Sequence, residues 1–427
     1  MTGRRRAPSL SRPFRTLTGA VAAGALLLTG CGALPGGSGA SGEPVTVMTW
    51  APSGATGPDA ANRAGMTAMA QAYGRWVNES GGIDGHRLRV LTCDEQDTPG
   101  GAGDCARRAV REKAVAVLGS YSRHGQAFTA PLQIAGIPYI GGYGASEEEY
   151  SSYISYPLTG GQSALLAGTA VQLARDCERV SLVRADTLGG WGEAWLLRTG
   201  LGNAGRAAPL DIPAAEDATS YSTEAERALS VAGTGGGCVT SVLGDRTETF
   251  FDSFRRLEPE GAQVRVASVL GSVDQPLIDR TGGRNSPFEG AYVTGWYPPP
   301  GDARWDEMRR VIREHAFGDN RIDPDDTGVQ TTWIAYTVLR SLIGAIQESE
   351  ITAGKITTAL HRGERVDTGG LTPALRWHYE DMIGSEAYPR IVNTRVTLQV
   401  VRNGRLVAAR KGFVDVGETL VDASARR

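Results

Sequence analysis

Short apolar runs separated by amphipathic stretches recur along most of the chain. Val45-Thr46-Val47-Met48-Thr49-Trp50 predicts a buried strand, and the stretch after it places Met66, Met69, Tyr73, Trp76 and Val77 on one helical face. Apolar runs at 88–91, 114–118 and 137–140 alternate with helical patterns over 101–112 and 123–134. The rhythm breaks across 151–157. A second series then begins, with helices expected at 161–175, 191–203, 221–232 and 246–257 and strands at 180–183, 239–243, 264–269 and 291–294. Trp296-Tyr297-Pro298-Pro299-Pro300 interrupts it, since proline cannot donate to a strand ladder. Two more helices are expected at 304–316 and 328–348, then a hairpin around Arg402-Asn403-Gly404. Strands alternating with helices predict an α/β protein with parallel sheets covered on both faces. No short repeat that would indicate a solenoid is present.

The amino terminus follows another pattern. Arg4, Arg5, Arg6, Arg12 and Arg15 precede an apolar run from Leu17 to Leu28, too short for a permanent span and suited to a secretory signal over 1–30. Leu28-Thr29-Gly30-Cys31 resembles the lipobox of bacterial lipoproteins, in which Cys31 becomes the lipidated amino terminus; an ordinary signal with an incidental cysteine is the alternative. Gly, Ser, Ala and Pro dominate the tether that follows to Pro44, and such a coil holds the globular part within about 20 Å of the membrane. Losing five arginines and no acid takes the formal net charge from -3 to -8, which argues against nucleic acid or an acidic lipid surface as a partner.

Four cysteines remain, Cys93, Cys105, Cys177 and Cys238, and in an exported chain they admit three pairings. Cys93 ends a predicted strand and Cys105 lies early in the next helix, while Cys177 and Cys238 each precede a strand of the second series. The expected bonds are therefore Cys93–Cys105 and Cys177–Cys238. A zinc site is the rival use, but no Cys-x-x-Cys occurs and the five histidines are scattered. Neither a metal nor a cofactor is expected.

Ser120, Tyr121 and Ser122 close a strand and open the helix carrying Phe128 and Leu132. Free backbone N–H groups at such a helix start suit an anion, although Ser122 could serve only as its cap. Catalytic signatures are missing. Gly161-Gln162-Ser163-Ala164-Leu165 fails the Gly-x-Ser-x-Gly elbow, and His86, His124, His315, His361 and His378 lack suggestive spacing. Gly233-Thr234-Gly235-Gly236-Gly237 precedes a strand, the reverse of a phosphate-cradling loop.

Several segments together resemble the type I periplasmic binding fold, in particular the leucine/isoleucine/valine-binding-like solute receptors of ABC importers. They are Val77-Asn78-Glu79-Ser80-Gly81-Gly82-Ile83-Asp84-Gly85, Cys93-Asp94-Glu95-Gln96-Asp97-Thr98-Pro99, Val117-Leu118-Gly119-Ser120, Ala135-Gly136-Ile137-Pro138-Tyr139 and Phe288-Glu289-Gly290-Ala291-Tyr292. The resemblance implies two doubly wound parallel-sheet lobes joined by three hinge crossings, near 150–157, 296–300 and 371–376. Lobe 1 would comprise 45–156 plus 299–373 and lobe 2 157–298 plus 374–416, after a lipidated tether at 31–44 and before a tail at 417–427. It also implies a solute held between the lobes and an ABC permease in the cytoplasmic membrane as partner; the same lobes could instead signal closure to a receptor kinase. A structural surface protein with a decayed cleft is the third reading.

By the same resemblance, the loop Gly141-Gly142-Tyr143-Gly144-Ala145-Ser146 would help hold a ligand carboxylate, with Tyr143 among its ligand-binding residues, Ser146 giving a hydroxyl and Ala145 only backbone, although the glycines could simply make the turn. Trp191 stands where relatives often carry a tyrosine and could stack on the ligand. Asp245 and Ser272 fill the other lobe 2 positions. Amino-acid binders of the family carry an acid where this chain has Ser272. Either Asp245 or Asp274 meets the ammonium, or the ligand has none and is an amide, a urea-like compound or another small acid.

Overall fold

The computed structural model describes residues 42–53, 63–232, 236–258 and 264–425. The expected signal, Cys31 and most of the tether lie outside them. In chain order the first lobe contains β1 (Val45–Ala51), α1 (Ala64–Glu79), β2 (Leu88–Asp94), α2 (Pro99–Arg111), β3 (Ala116–Leu118), α3 (Gly125–Ala135), β4 (Tyr139–Ile140), the single turn α4 (Glu148–Ser151) and β5 (Ser155–Tyr156). Its sheet is parallel throughout, in the order β2-β1-β3-β4-β5.

The second lobe runs through α5 (Gly161–Asp176), β6 (Arg179–Ala185), α6 (Leu188–Asn203), β7 (Leu210–Ala214), α7 (Ser222–Ala232), β8 (Gly237–Val242), α8 (Thr247–Leu257), β9 (Arg265–Val269), α9 (Gln275–Arg280) and β10 (Tyr292–Gly295). These five strands are also parallel, in the order β7-β6-β8-β9-β10. Both sheets thus wind alike: the first strand of each lobe pairs with the second on one side and the third on the other. Helices α10 (Asp306–His315), α11 (Thr327–Ile346) and α12 (Ala353–Arg362) follow, with α10 and α11 returning to pack on α1. The chain crosses a third time to add β11 (Arg395–Arg402), antiparallel to β10, and then β12 (Arg405–Ala408), antiparallel to β11, to the second sheet. A short β13 (Val414–Asp415) pairs with β11, and the residues expected only as a tail form α13 (Gly417–Ala425), packed on α5 and α6.

The period-two alternation of β1 explains how its sheet comes to be covered on both faces. Val45 and Val47 enter a core with Met66, Met69 and Tyr73 of α1, while Met48 and Trp50 enter another with Phe128 and Leu132 of α3. The aromatic stripe read along the first helix is core, as its spacing suggests. Several elements escape the hydrophobic pattern, among them α12, β7 and α9. Strand β7 contains Pro213, tolerated because the strand lies at the sheet edge. The short α9 is set by its cap, Asp274 Oδ1 accepting from Leu277 N at 2.9 Å.

The three crossings lie side by side and are tied together. Trp377 Nε1 donates to Pro157 O at 3.0 Å and Asn393 Nδ2 to Leu158 O at 2.9 Å. Thr397 Oγ1 and Gln399 Nε2 donate to Tyr297 O at 2.7 and 3.0 Å.

Cys93 is bonded to Cys105 and Cys177 to Cys238, closing separations of 12 and 61 residues. The longer loop constrains the unfolded chain more. Replacing Cys177 and Cys238 by alanine should destabilise by about 4 kcal/mol, and replacing Cys93 and Cys105 by about 3 kcal/mol. Urea titrations of both variants check the size and the order.

Candidate functional site

Parallel strands end together, so the loops after them gather along one edge of each sheet, and open α/β folds bind ligands where the strand order reverses. Here the carboxyl edges of the two sheets face each other across a cleft of about 670 Å³. Lobe 1 contributes Arg63 just ahead of α1, Tyr121 and Arg123 after β3, and Tyr143, Gly144 and Ala145 after β4. Lobe 2 contributes Thr187, Gly190 and Glu193 after β6, Glu216 and Asp217 after β7, Leu243, Gly244 and Arg246 after β8, and Leu270, Gly271 and Ser272 after β9. Trp296, on the second crossing, closes the back and meets Tyr143 edge to face at 5.5 Å. The lobes approach closely: a Cβ added to Gly271 would sit 3.4 Å from the Tyr143 hydroxyl.

Of the residues singled out by sequence, Tyr121, Tyr143, Ala145 and Ser272 line this cleft. The serines of lobe 1 are turned inward. Ser120 Oγ accepts from Trp50 N at 3.0 Å and donates to Leu118 O at 3.2 Å, binding the ends of β1 and β3 together. Ser122 Oγ donates to Glu95 Oε2 at 2.9 Å and accepts from His124 N at 3.1 Å. Both serines are fully buried and neither lines the cleft.

The loop after β4 departs furthest from expectation. The N–H groups of Gly144, Ala145 and Ser146 converge, as an anion site requires, but on the protein's own Glu149. Its carboxylate accepts from them at 2.9, 2.9 and 3.1 Å and from Ser146 Oγ at 3.3 Å. Glu149 is 2% exposed, and burial pushes its carboxyl up to about 7 against the pull of these donors.

In lobe 2, Trp191 does not line the cleft. Its ring is 68% exposed and lies over the Arg184 guanidinium, whereas Glu193 lines the wall from the same helix. Asp274 is committed to capping α9 and also lies outside the cleft lining. Asp245 belongs to a short 3-10 turn, and its neighbours Gly244 and Arg246 form the wall.

The six charged residues of the cleft lining, Arg63, Arg123, Glu193, Glu216, Asp217 and Arg246, all escaped the sequence reading, and Arg63 and Glu193 matter most here. Arg63 places its guanidinium carbon 4.9 Å from the Tyr143 ring centre and 5.4 Å from that of Tyr121. Its Nη1 pairs with Asp326 Oδ2 at 3.4 Å, and its Nε, buried, has no hydrogen-bond acceptor among the described residues. Burial opposes its charge, but Tyr143, Asp326, Tyr121 and Asp274 outweigh that and hold the proton more firmly than in an ordinary arginine. Burial also raises Glu193 to about 7 despite the attraction of Arg184, and its Oε2 has no partner among the described residues. No periodicity marks either residue.

Two similarly wound lobes, with facing carboxyl edges and three crossings between them, define the architecture of a two-lobed solute receptor. The chain belongs to the periplasmic binding protein family, whose profile matches residues 52–385, and so falls among exported solute-binding proteins. Solved structures with the same fold include a solute-binding protein from Rhodopseudomonas palustris in complex with 4-hydroxybenzoate (15% identity, 87% of this chain and 97% of that one, TM-score 0.68). A branched-chain amino acid ABC transporter protein from Thermus thermophilus with bound valine is similar at 16% identity, over 88% of this chain and 98% of that one, with TM-score 0.66. A leucine-binding protein from Thermotoga maritima shares 16% identity over 87% of this chain and 99% of that one, with TM-score 0.64. No curated protein sequence matches the chain.

Glu193 has a pH signature. Its carboxyl is raised from 4.5 to about 7 in the fold, so both states hold the proton at low pH, and the unfolded chain releases it first as pH rises. Stability associated with this group therefore falls between those two values. Relative to the unaltered protein, Glu193→Gln should gain on the order of 2 kcal/mol on going from about pH 5 to about pH 8. Urea midpoints of both proteins at the two pH values test this; parallel curves would show that Glu193 ionises normally.

Proposed function

We propose that this protein is an extracytoplasmic lipoprotein that captures a small polar solute, an amino acid or a related amide or small acid, between its two lobes and delivers it to an ABC-type permease. One observation carries the reading. Loops from the carboxyl edges of both sheets enclose a cleft with a half-buried cation, Arg63, a half-buried acid, Glu193, three aromatic rings and the Ser272 side chain. A solute touching both walls makes contacts that exist only when the lobes are together, so its binding energy favours closure.

The similar structures with valine and with 4-hydroxybenzoate bound lend this support, because both compounds are small carboxylates of the size the cleft admits. Among the described residues no helix is long and apolar enough to cross a membrane. Attachment is assigned to a lipid on Cys31. Tyr121, Tyr143, Ala145 and Ser272 are the sequence-derived residues proposed to touch the solute, while Ser120, Ser122 and Ser146 shape the loops that present them.

A thermal-shift screen over amino acids, amides and small acids tests capture. At about a hundred times its dissociation constant a true ligand adds about 2.7 kcal/mol of stability, and X-ray scattering should record contraction with it. A flat screen with unchanged scattering would sink the proposal. The anchor has its own test. Cys31→Ala should move the protein from the detergent phase to the aqueous phase on Triton X-114 partitioning, and retention in the detergent phase argues against a lipid at that residue.

A further inference from the structure

Two places in lobe 1 have the chemistry to hold an anion, and only one is available. The first is the backbone concavity of Gly144, Ala145 and Ser146, whose three N–H groups and one hydroxyl all point at Glu149. That carboxylate is part of the chain and buried. A ligand carboxylate in the same concavity would lack donors and would face a like charge at contact range, which is strongly unfavourable out of water. The hydroxyls of Ser120 and Ser122 are no alternative, being spent on Leu118 O and on Glu95.

The second place is Arg63. A guanidinium offers five donors in a planar fork suited to gripping a carboxylate through two parallel bonds. Arg63 has one acidic partner, Asp326, at the long distance of 3.4 Å, and that residue's other oxygen is engaged by Val329 N at 2.9 Å at the start of α11. The Nε of Arg63 is withdrawn from solvent without an acceptor among the described residues. Such a buried donor is costly unless something arrives to satisfy it. The rings of Tyr121 and Tyr143 pack against the guanidinium and line the same cleft, so an acid bound there would lay its carbon skeleton along aromatic surface.

We propose that Arg63 holds the anionic group of the solute in place of the backbone loop occupied by Glu149, and that the cleft consequently selects small organic acids over their amides. The assignment rests on the reading of this cleft as a solute site and narrows the solute class within it.

Calorimetric titration of the full-length chain in detergent tests this with a panel of small carboxylic acids, valine and 4-hydroxybenzoate among them, each beside its primary amide. At least one acid should bind, with its amide weaker by tenfold or more. Arg63→Gln should weaken that acid by about ten- to a hundredfold, the range for losing charge-assisted hydrogen bonds, and leave acid and amide alike. Equal affinity of the unaltered protein for an acid and its amide overturns the role of Arg63 while leaving solute capture intact. Unchanged acid binding by a folded Arg63→Gln variant does the same. Should that variant fail to fold, the acid–amide comparison on the unaltered protein decides alone. Silence from the entire panel overturns both the solute reading and this assignment.

Discussion

Polar groups taken out of water where two sheet edges meet must find partners, and this constraint organises the centre of the molecule. A parallel sheet ends in loops rich in unpaired N–H groups, and packing a second lobe over them removes solvent as an easy partner. Lobe 1 answers with its own acids. Glu149 fills the loop after β4, and Glu95 accepts from Ser122 beside the loop after β3. Both are buried and have their carboxyls raised to about 7 by that burial, so these partnerships carry an electrostatic cost that the loop geometry must offset.

The crossings obey the same constraint. Three adjacent segments at the hinge hold one another through Trp377, Asn393, Thr397 and Gln399, whose side chains donate to backbone carbonyls of the other crossings. Pro298, Pro299 and Pro300 cannot donate to a strand ladder, and the Tyr297 carbonyl in this second segment accepts instead from the Thr397 and Gln399 side chains of the third.

The architecture was legible in the sequence because alternation and helical periodicity report burial directly. Val45 and Val47 on one face of β1 and Met48 and Trp50 on the other could belong only to a strand covered on both sides. The cysteine pairs followed from the same element map. The site was far less legible. A serine at a strand end has the same type whether it faces a ligand, as expected of Ser120 and Ser122, or turns inward to bind neighbouring strands, as found. Glu149 closes the run Glu147-Glu148-Glu149, which reads as a solvated charge cluster, and only the one-turn helix α4 directs its third member into the protein. Arg63 gave no signal because it stands before the first periodic residue of α1, and a lone arginine there resembles any surface residue.

Charge placement also bears on how closure is driven. A ligand shifts an equilibrium between open and closed forms only through contacts that differ between them. Arg63 belongs to the lobe 1 wall and Glu193 to the lobe 2 wall, and each presents a buried polar atom without a partner among the described residues. Each of these atoms is withdrawn from water without a partner among the described residues, a penalty that a solute bonded to it would relieve. A solute that satisfies Arg63 and also reaches the second lobe removes that penalty and adds bridging contacts. On the proposed reading, a solute bonded to both walls would couple the lobes through the cleft they share.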